Sequence, residues 1–285
     1  MYMRLGFAVA IHVDPDVLLV DEVLAVGDEG FTHKCLDKFA EFKRRNKTIL
    51  LVTHSLGLVE RFCDEALWLD HGHKRGQGDP TRTIGAYITD VERQEEKLLA
   101  AGDEKARQAV DQQPDETAAR PLDAGDVASD MLKASEGRWG TGGVEIRSVT
   151  LLGEQGEPTH IFHTGEPVSV VLSVHAPETI SDFVFGIGMY TAEGVQIYGT
   201  NTEIEEHEPE QLSGAAEVRF HIEALDLVEG TYKLDVAVHR RDGAPYDYHR
   251  LLYTFRVKSR LKDVGMYRPR HHWEFSSNVR FRLKP

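Results

Sequence analysis

Cysteine is scarce in this sequence: there are 2 in 285 residues, Cys35 and Cys63. That is too few for a disulfide framework or a four-ligand zinc site, and it fits a reducing compartment. Long apolar runs are missing too. The longest, such as Val17 to Val20, are cut by charge and fall far short of the roughly 18–20 residues that a membrane-spanning helix needs. The opening Met1 to Ala10 is followed at once by Asp14, Pro15 and Asp16 with no small-residue cleavage pattern, so it reads as a core helix rather than a signal peptide. Basic charge is in deficit, with 33 Lys+Arg against 47 Asp+Glu and a net charge of −14. Such a chain repels phosphate backbones, which argues against nucleic acid as a partner.

Aromatic residues are absent from Ile88 to Arg138 and frequent on both sides, which divides the chain. The gap is rich in Glu, Asp, Gln, Ala and Lys and cannot bury much apolar surface. Residues 91–138 therefore read as a linker, in which Val91 to Val110 extends a helix and the rest is a flexible tether.

Residues 1–90 alternate helical and strand signals. Met1 to His12 reads as a helix, and Val17 to Val20 as a strand buried on both faces. Thr32 to Arg45 spaces Cys35, Leu36, Phe39 and Phe42 as one helix face, and Thr48 to Thr53 is a second buried strand. Leu56 to Cys63 is a short helix, and Ala66 to Asp70 with His73 to Gln77 forms a hairpin. Strand, helix, strand in this order predicts a parallel sheet with a right-handed crossover.

Residues 139–285 switch to a period of two. Val144 to Leu152, Val168 to Val174, Phe183 to Tyr190, Val195 to Thr200, Ala216 to Ile222, Tyr232 to His239, Leu251 to Val257 and Val279 to Leu283 predict an antiparallel β-sandwich. Ala192 to Gly194 and Arg241 to Gly243 fall where hairpin loops belong.

The first strand ends in Asp21-Glu22, and the carboxyl ends of strands in open α/β sheets are where ligands bind. Asp21 is placed to hold Mg²⁺ through water, while Glu22 faces a nucleophilic water in line with a terminal phosphate. Ala25-Val26-Gly27-Asp28 follows. The second strand ends Val52-Thr53-His54-Ser55, which sets an imidazole beside the carboxylates if the two strands are adjacent and makes His54 a candidate γ-phosphate sensor.

On these residues, positions 1–90 resemble the second half of an ABC-transporter nucleotide-binding domain. The resemblance implies that Asp21 is the Walker B aspartate, Glu22 the catalytic glutamate, His54 the switch histidine, and Asp28 a nucleotide-contacting D-loop residue. Asp-Glu-Val-Leu-Ala-Val-Gly-Asp-Glu-Gly-Phe is similar to the subgroup exporting O-antigen or teichoic-acid polysaccharide. No Gly-x-x-x-x-Gly-Lys-Ser/Thr loop occurs anywhere; Gly140 to Gly143 lacks the lysine. Without amides to cradle phosphates, these residues alone are expected not to hydrolyse ATP, and the chain reads as a fragment of a longer ATPase. The full fold class expected is α/β, a partial RecA-like ABC ATPase half, joined by the charged linker to an all-β immunoglobulin-like sandwich.

From Trp139 the chain resembles the Wzt-type carbohydrate-binding domain through Phe185 to Tyr190, Tyr198 to Thr202 and Gly230 to Val236. This implies a sandwich that recognises polysaccharide cargo. Sugar recognition uses aromatic faces beside hydroxyl-binding groups, and Tyr190, Tyr198, Asn201, Tyr246, Tyr248, His249 and Trp273 are the available types outside obvious core positions. The resemblance further implies ATP and Mg²⁺ as cofactors of the complete protein, a transmembrane permease partner, a homodimer, and a cytoplasmic place on the inner face of the membrane through that permease. A non-catalytic glycan-binding or dimerisation module with a vestigial ATPase segment is the competing expectation.

The acidic run Glu203, Glu205, Glu206, Glu208 and Glu210 contrasts with nine Lys or Arg between Arg256 and Lys284. Anionic sugar, a phosphate-bearing glycan terminus, lipid headgroups and the acidic loop of a second copy are the partners open to that tail, and the last would join two sandwiches. His71-x-His73 and His271-His272 lack a third ligand and read as surface residues. No Gly-x-Ser-x-Gly elbow is present.

Overall fold

The computed structural model describes residues 9, 13–21, 29–112, 137–276 and 279. Glu22, Val26, Gly27 and Asp28 lie outside them, as do the expected helix at Met1 to His12 and the strand at Val279 to Leu283, save for Val9 and Val279. The chain forms two compact units, residues 1–93 and 94–285.

In the first unit, β1 (Val17–Asp21) pairs in parallel with β2 (Thr48–Val52), from Val17 opposite Thr48 to Asp21 opposite Val52. The crossover contains helix α1 (Glu29–Arg44), as a parallel pair requires. Cys35, Phe39 and Phe42 recur at helical spacing and bury against Leu18 and Val20. The helix stops where Asn46 turns left-handed (φ 54°). There the amides of Asn46 and Lys47 return to the carbonyls of Lys43 and Phe42, at 3.0 Å each, so two of the helix's last carbonyls are satisfied.

One expectation is corrected. β1 and β2 are not buried on both faces: Leu18 and Val20 are covered at 5% and 3% exposure, but Val17, Leu19, Leu50 and Val52 stand 50–66% exposed. Helix α1 covers one side, and nothing among the described residues covers the other.

Helix α2 (Leu56–Phe62) leads to a hairpin of β3 (Ala66–Asp70) and β4 (His73–Gly78). Its two-residue turn, His71 and Gly72, takes positive φ at both positions (47° and 79°), which matches the right-handed strand twist. Helix α3 (Pro80–Gln112) follows. Pro80 sits at its start, and Asp79 Oδ1 accepts the Arg82 amide at 2.9 Å, capping the N-terminus.

The second unit is a β-sandwich. One sheet runs β11 (Leu212–Ile222), β8 (Val168–Ile180), β6 (Glu145–Leu152). The other is six-stranded: β10 (Gln196–Asn201), β9 (Val184–Thr191), β12 (Gly230–His239), β13 (Pro245–Lys258), β5 (Gly137–Trp139), with β7 (Ile161–His163) also on β13. Alternate residues of β8 (Val168, Val170, Leu172, Val174) face alternate residues of β12 (Tyr232, Leu234, Val236, Val238) in one core, closed by Phe162 and Phe255. The hairpin loops fall at 192–195 and 240–244, with Gly194 and Gly243 at φ 83° and 88°.

Leu234 is 1% exposed in this core. Leu234→Ala is expected to lower sandwich stability by about 2–5 kcal/mol, because the cavity adds to the lost transfer energy. Denaturant unfolding of the full chain, followed by the sandwich's tryptophan and tyrosine signal, measures it.

Candidate functional site

The first unit offers a polar rim. Asp21 ends β1 opposite Val52, and His54 lies two residues beyond Val52, so both sit at the carboxyl edge of adjacent parallel strands. Both are exposed. Thr53 Oγ1 accepts the Ser55 amide at 3.0 Å, a local turn that leads into α2. Asp21 is a hard oxygen donor of the kind Mg²⁺ prefers, but among the described residues no three His, Cys, Asp or Glu side chains gather as a metal cage.

The second unit holds a denser constellation on the outer face of the six-stranded sheet. Asp235 of β12 should meet water there, yet it is 2% exposed. Its Oδ2 accepts the Tyr248 hydroxyl at 3.1 Å, and its Oδ1 accepts the Leu251 amide at 2.6 Å. Tyr190 also hydrogen-bonds to it. Burial raises the Asp235 carboxyl above its ordinary value, despite these donors and nearby Arg250. The same burial, with the Asp235 charge, pushes Tyr190 up to about 12 and Tyr248 higher still.

Backbone shape makes this covering possible. Gly188 lies opposite Asp235 on one side and Gly199 on the other. A Cβ on Gly188 would stand 2.9 Å from the Tyr190 ring, so only glycine lets that ring lie across the strand. On β13, Leu251 takes φ 55°, and the register shifts between the Leu234 and Val236 pairs. This irregularity brings the Leu251 amide to the carboxylate. Trp139 of β5 stacks on Tyr248, with centroids 4.8 Å apart and planes at 11°.

The seven sequence-predicted sugar-binding residues therefore divide. Tyr190 and Tyr248 converge on Asp235. The expectation that all seven stand outside the core is corrected for three. Tyr190 (9%), Tyr246 (6%) and His249 (2%) are buried: Tyr190 is covered on the outer face, Tyr246 belongs to the core cluster and His249 lies on the inner face opposite Val236. Tyr246 donates to the Asp182 carbonyl at 3.0 Å under the Arg240 guanidinium. His249 Nδ1 pairs with the Tyr253 hydroxyl at 2.7 Å inside the sandwich. Asn201 ends β10 and accepts the Ile204 amide at 2.7 Å as a turn residue. Tyr198 is 45% exposed on edge strand β10, and Trp273 is 77% exposed, stacked on Phe275 far along the chain from the others. Trp139 and Asp235 escaped the sequence reading. The signal available was an acid in mid-strand between β-formers.

The inner face holds a second buried carboxylate, Asp247 of β13. Arg138 of β5 grips it through Nε and Nη2, both at 2.9 Å, and the Ile146 amide donates at 2.7 Å. His249 Nε2 stands 3.2 Å away, near enough for attraction without good alignment. Burial raises this carboxyl, but its neighbours outweigh that effect and hold it below the ordinary 3.8. Among the described residues of the basic tail, Lys262 pairs with Glu229, Arg268 with Asp263 and Arg270 with Asp226.

Fold and site together define a two-part protein, a parallel α/β unit with polar groups at its carboxyl rim and a β-sandwich with an aromatic, acid-centred outer face. Residues 135–269 match the family described as the Wzt C-terminal domain. The chain is 36% identical over 273 residues to the O-antigen export system ATP-binding protein RfbB of Myxococcus xanthus, covering 96% of this chain and 58% of that protein. Over 87 residues it is 53% identical to the teichoic acids export ATP-binding protein TagH of Listeria monocytogenes, 30% of this chain and 26% of that one. Among solved structures, the C-terminal domain of wzt aligns at 21% identity and TM-score 0.47, covering 50% of this chain and 89% of that domain. The chain thus spans a little over half of the first relative and about a quarter of the second.

Asp247→Ala is expected to destabilise the sandwich at neutral pH by roughly 3 kcal/mol, since it strands a partly buried guanidinium and an amide. The folded carboxyl lies below 3.8, so the benefit is full above that value and is lost as pH falls through the folded one. Melting of wild type and variant should therefore converge in acid; a constant gap would contradict the charge assignment.

Proposed function

We propose that this chain works within the ATP-binding subunit of a polysaccharide exporter, with the sandwich receiving the glycan. The observation that carries this reading is the relationship to RfbB, which runs through both units in order. The bare face of β1 and β2 supports it physically. Parallel sheets are covered on both sides in stable domains, so Val17, Leu19, Leu50 and Val52 await further protein of an ATPase domain. That protein would supply the phosphate-binding loop that these 285 residues lack.

In the assembled subunit, Asp21 and His54 stand at the rim where a nucleotide's terminal phosphate would lie, and the sequence adds Glu22 and Asp28 as their expected companions. Mg²⁺ would be held by Asp21 through water and by the phosphates, and its chemistry there is neutralisation of charge on the transferring group. Glu22 would orient the attacking water, and His54 would sense the γ-phosphate. By itself this chain has no cradle for ATP and is inactive as an ATPase. The complete subunit would pair with a second copy and with a transmembrane permease, on the cytoplasmic side of the membrane.

For cargo, the outer face of the six-stranded sheet is the favoured platform. Trp139 and Tyr248 present ring surface there, while Asn201, opposite Gly186, extends that face at the edge strand and Tyr198, opposite Met189, lies toward the other face. The sugar's C–H faces would stack there and its hydroxyls would meet Asn201 and the tyrosine edges.

Isothermal titration of the full chain with the exported glycan of the source cell is expected to show binding, and Trp139→Ala should weaken it by about 5- to 30-fold, the value of one aromatic contact. Binding unchanged in Trp139→Ala would reject this face. Mg²⁺-dependent ATP hydrolysis by the purified chain that disappears in Glu22→Gln would reject the inactive-fragment reading.

A further inference from the structure

The second half of α3, within residues 94–112, packs on the sandwich in an unusual way. Among its described side chains, those it turns inward are Glu95, Glu96, Leu99, Asp103 and Ala106, a stripe at helical spacing in which three of five are acids. An ordinary docked helix would present an apolar stripe. Ala106 touches the core cluster, while Leu98 points away, 74% exposed. Attachment therefore rests on polar contacts. Glu95 pairs with Arg256 and, at 3.2 Å, with Lys258. Glu96 accepts the His160 amide at 2.8 Å and the Thr159 hydroxyl at 3.1 Å. Asp103 accepts the Thr254 amide with both oxygens, at 3.0 and 3.1 Å. That amide has the same strand parity as Arg256, whose own amide bonds to the His160 carbonyl at 2.7 Å, so Asp103 caps the edge of β13 beyond the end of β7.

Both acids also reach the His160 ring. Nδ1 lies 2.8 Å from Glu96 Oε1 and Nε2 lies 3.4 Å from Asp103 Oδ2. A neutral imidazole carries one N–H and one lone pair, and only the imidazolium can offer a proton to carboxylates on both sides. In the neutral ring one nitrogen lone pair must face a carboxylate. We propose that His160 is a proton-operated latch: as imidazolium it clamps the second half of α3 to β7 and β13, and on losing its proton it lets that half of the helix detach.

The charges facing this ring are Glu96 and Asp103 from α3, with Glu95 on the same helix face and Arg256 and Lys258 across from it on β13. The pairs of Glu95 with Arg256 and Lys258 leave a weakened attachment when the latch opens. Hydrogen bonding to Asp103 foremost, then Glu96, raises the His160 pKa above 6.5 against the opposing effect of burial. A raised histidine pKa means the contribution is fully present below 6.5 and is lost as pH climbs through the folded value. Detachment returns residues 94–112 to an extended leash, lengthening the tether ahead of the sandwich. A lone helical segment of this size is marginal in water, which favours melting once it is released.

The latch does not depend on the exporter reading, so either can fail alone. The test is native-state hydrogen exchange on the full chain from pH 6 to 9, with protection factors corrected for intrinsic rates. Amides in 94–112 should lose about tenfold in protection for each unit by which the bound pKa exceeds the free one, while those of β12 stay constant. In His160→Gln, protection in 94–112 should be low and flat with pH. Glu96→Gln should likewise blunt the dependence and serves if His160→Gln does not fold. Equal protection of 94–112 at pH 6 and 9 in the wild type, or a pH dependence that survives in either variant, overturns the latch.

Discussion

Six of the sandwich's strands form one sheet that carries a carboxylate on each face, and neither carboxylate has ready access to water. An unpartnered buried charge costs several kcal/mol, more than any nearby apolar contact returns. Much local detail follows from that constraint. On the inner face, Asp247 is met by a guanidinium and an amide, which ties short β5 to the body of the sandwich. On the outer face, Asp235 is met by an amide and two phenols, with no cation paired to it. The two carboxyls shift in opposite directions: His249 and Arg138 outweigh desolvation at Asp247, while desolvation wins at Asp235 over the Leu251 amide, the two phenols and nearby Arg250. Leu251's strained backbone and the glycine at position 188 are the concessions that bring donors to Asp235.

The same logic recurs where the helix meets the sheet. The edge of β13 between β5 and β7 leaves the Thr254 amide without a strand partner, and Asp103 supplies the acceptor. An apolar helix face could cover that edge but could not bond to it. Acids on α3 thus act as a substitute strand edge, at the cost of bringing carboxylates together, and His160 offsets that repulsion.

Much of the architecture could be read from the residues. Alternation from Val168 to Val174 and from Tyr232 to His239 marked the facing core strands, since period two puts every second side chain on one side. The loops at Gly194 and Gly243, the hairpin at Gly72 and helix α1 through Phe39 and Phe42 were legible because each depends on neighbours in sequence. The pairing of Asp21 with Val52 places the two rim residues on adjacent strands. What misled was burial. Tyr190 looks like a surface aromatic by period but is covered by its neighbours on the outer face, while Tyr246 and His249 turn into the sandwich. The docking of α3 was also hidden, because a segment rich in Glu and Lys has the composition of a solvated tether; Glu96 finds His160 64 residues away.

By itself, then, the sequence determined the period of the core strands, the turns, and the acid and imidazole at two strand ends. These are local properties set by backbone sterics and spacing. Only the tertiary structure decided which polar groups lose their water. Desolvation depends on what the rest of the chain lays over a residue, so the partners of Asp235, Asp247 and Asp103, and the bare face of β1 and β2, exist only once the strands are assembled.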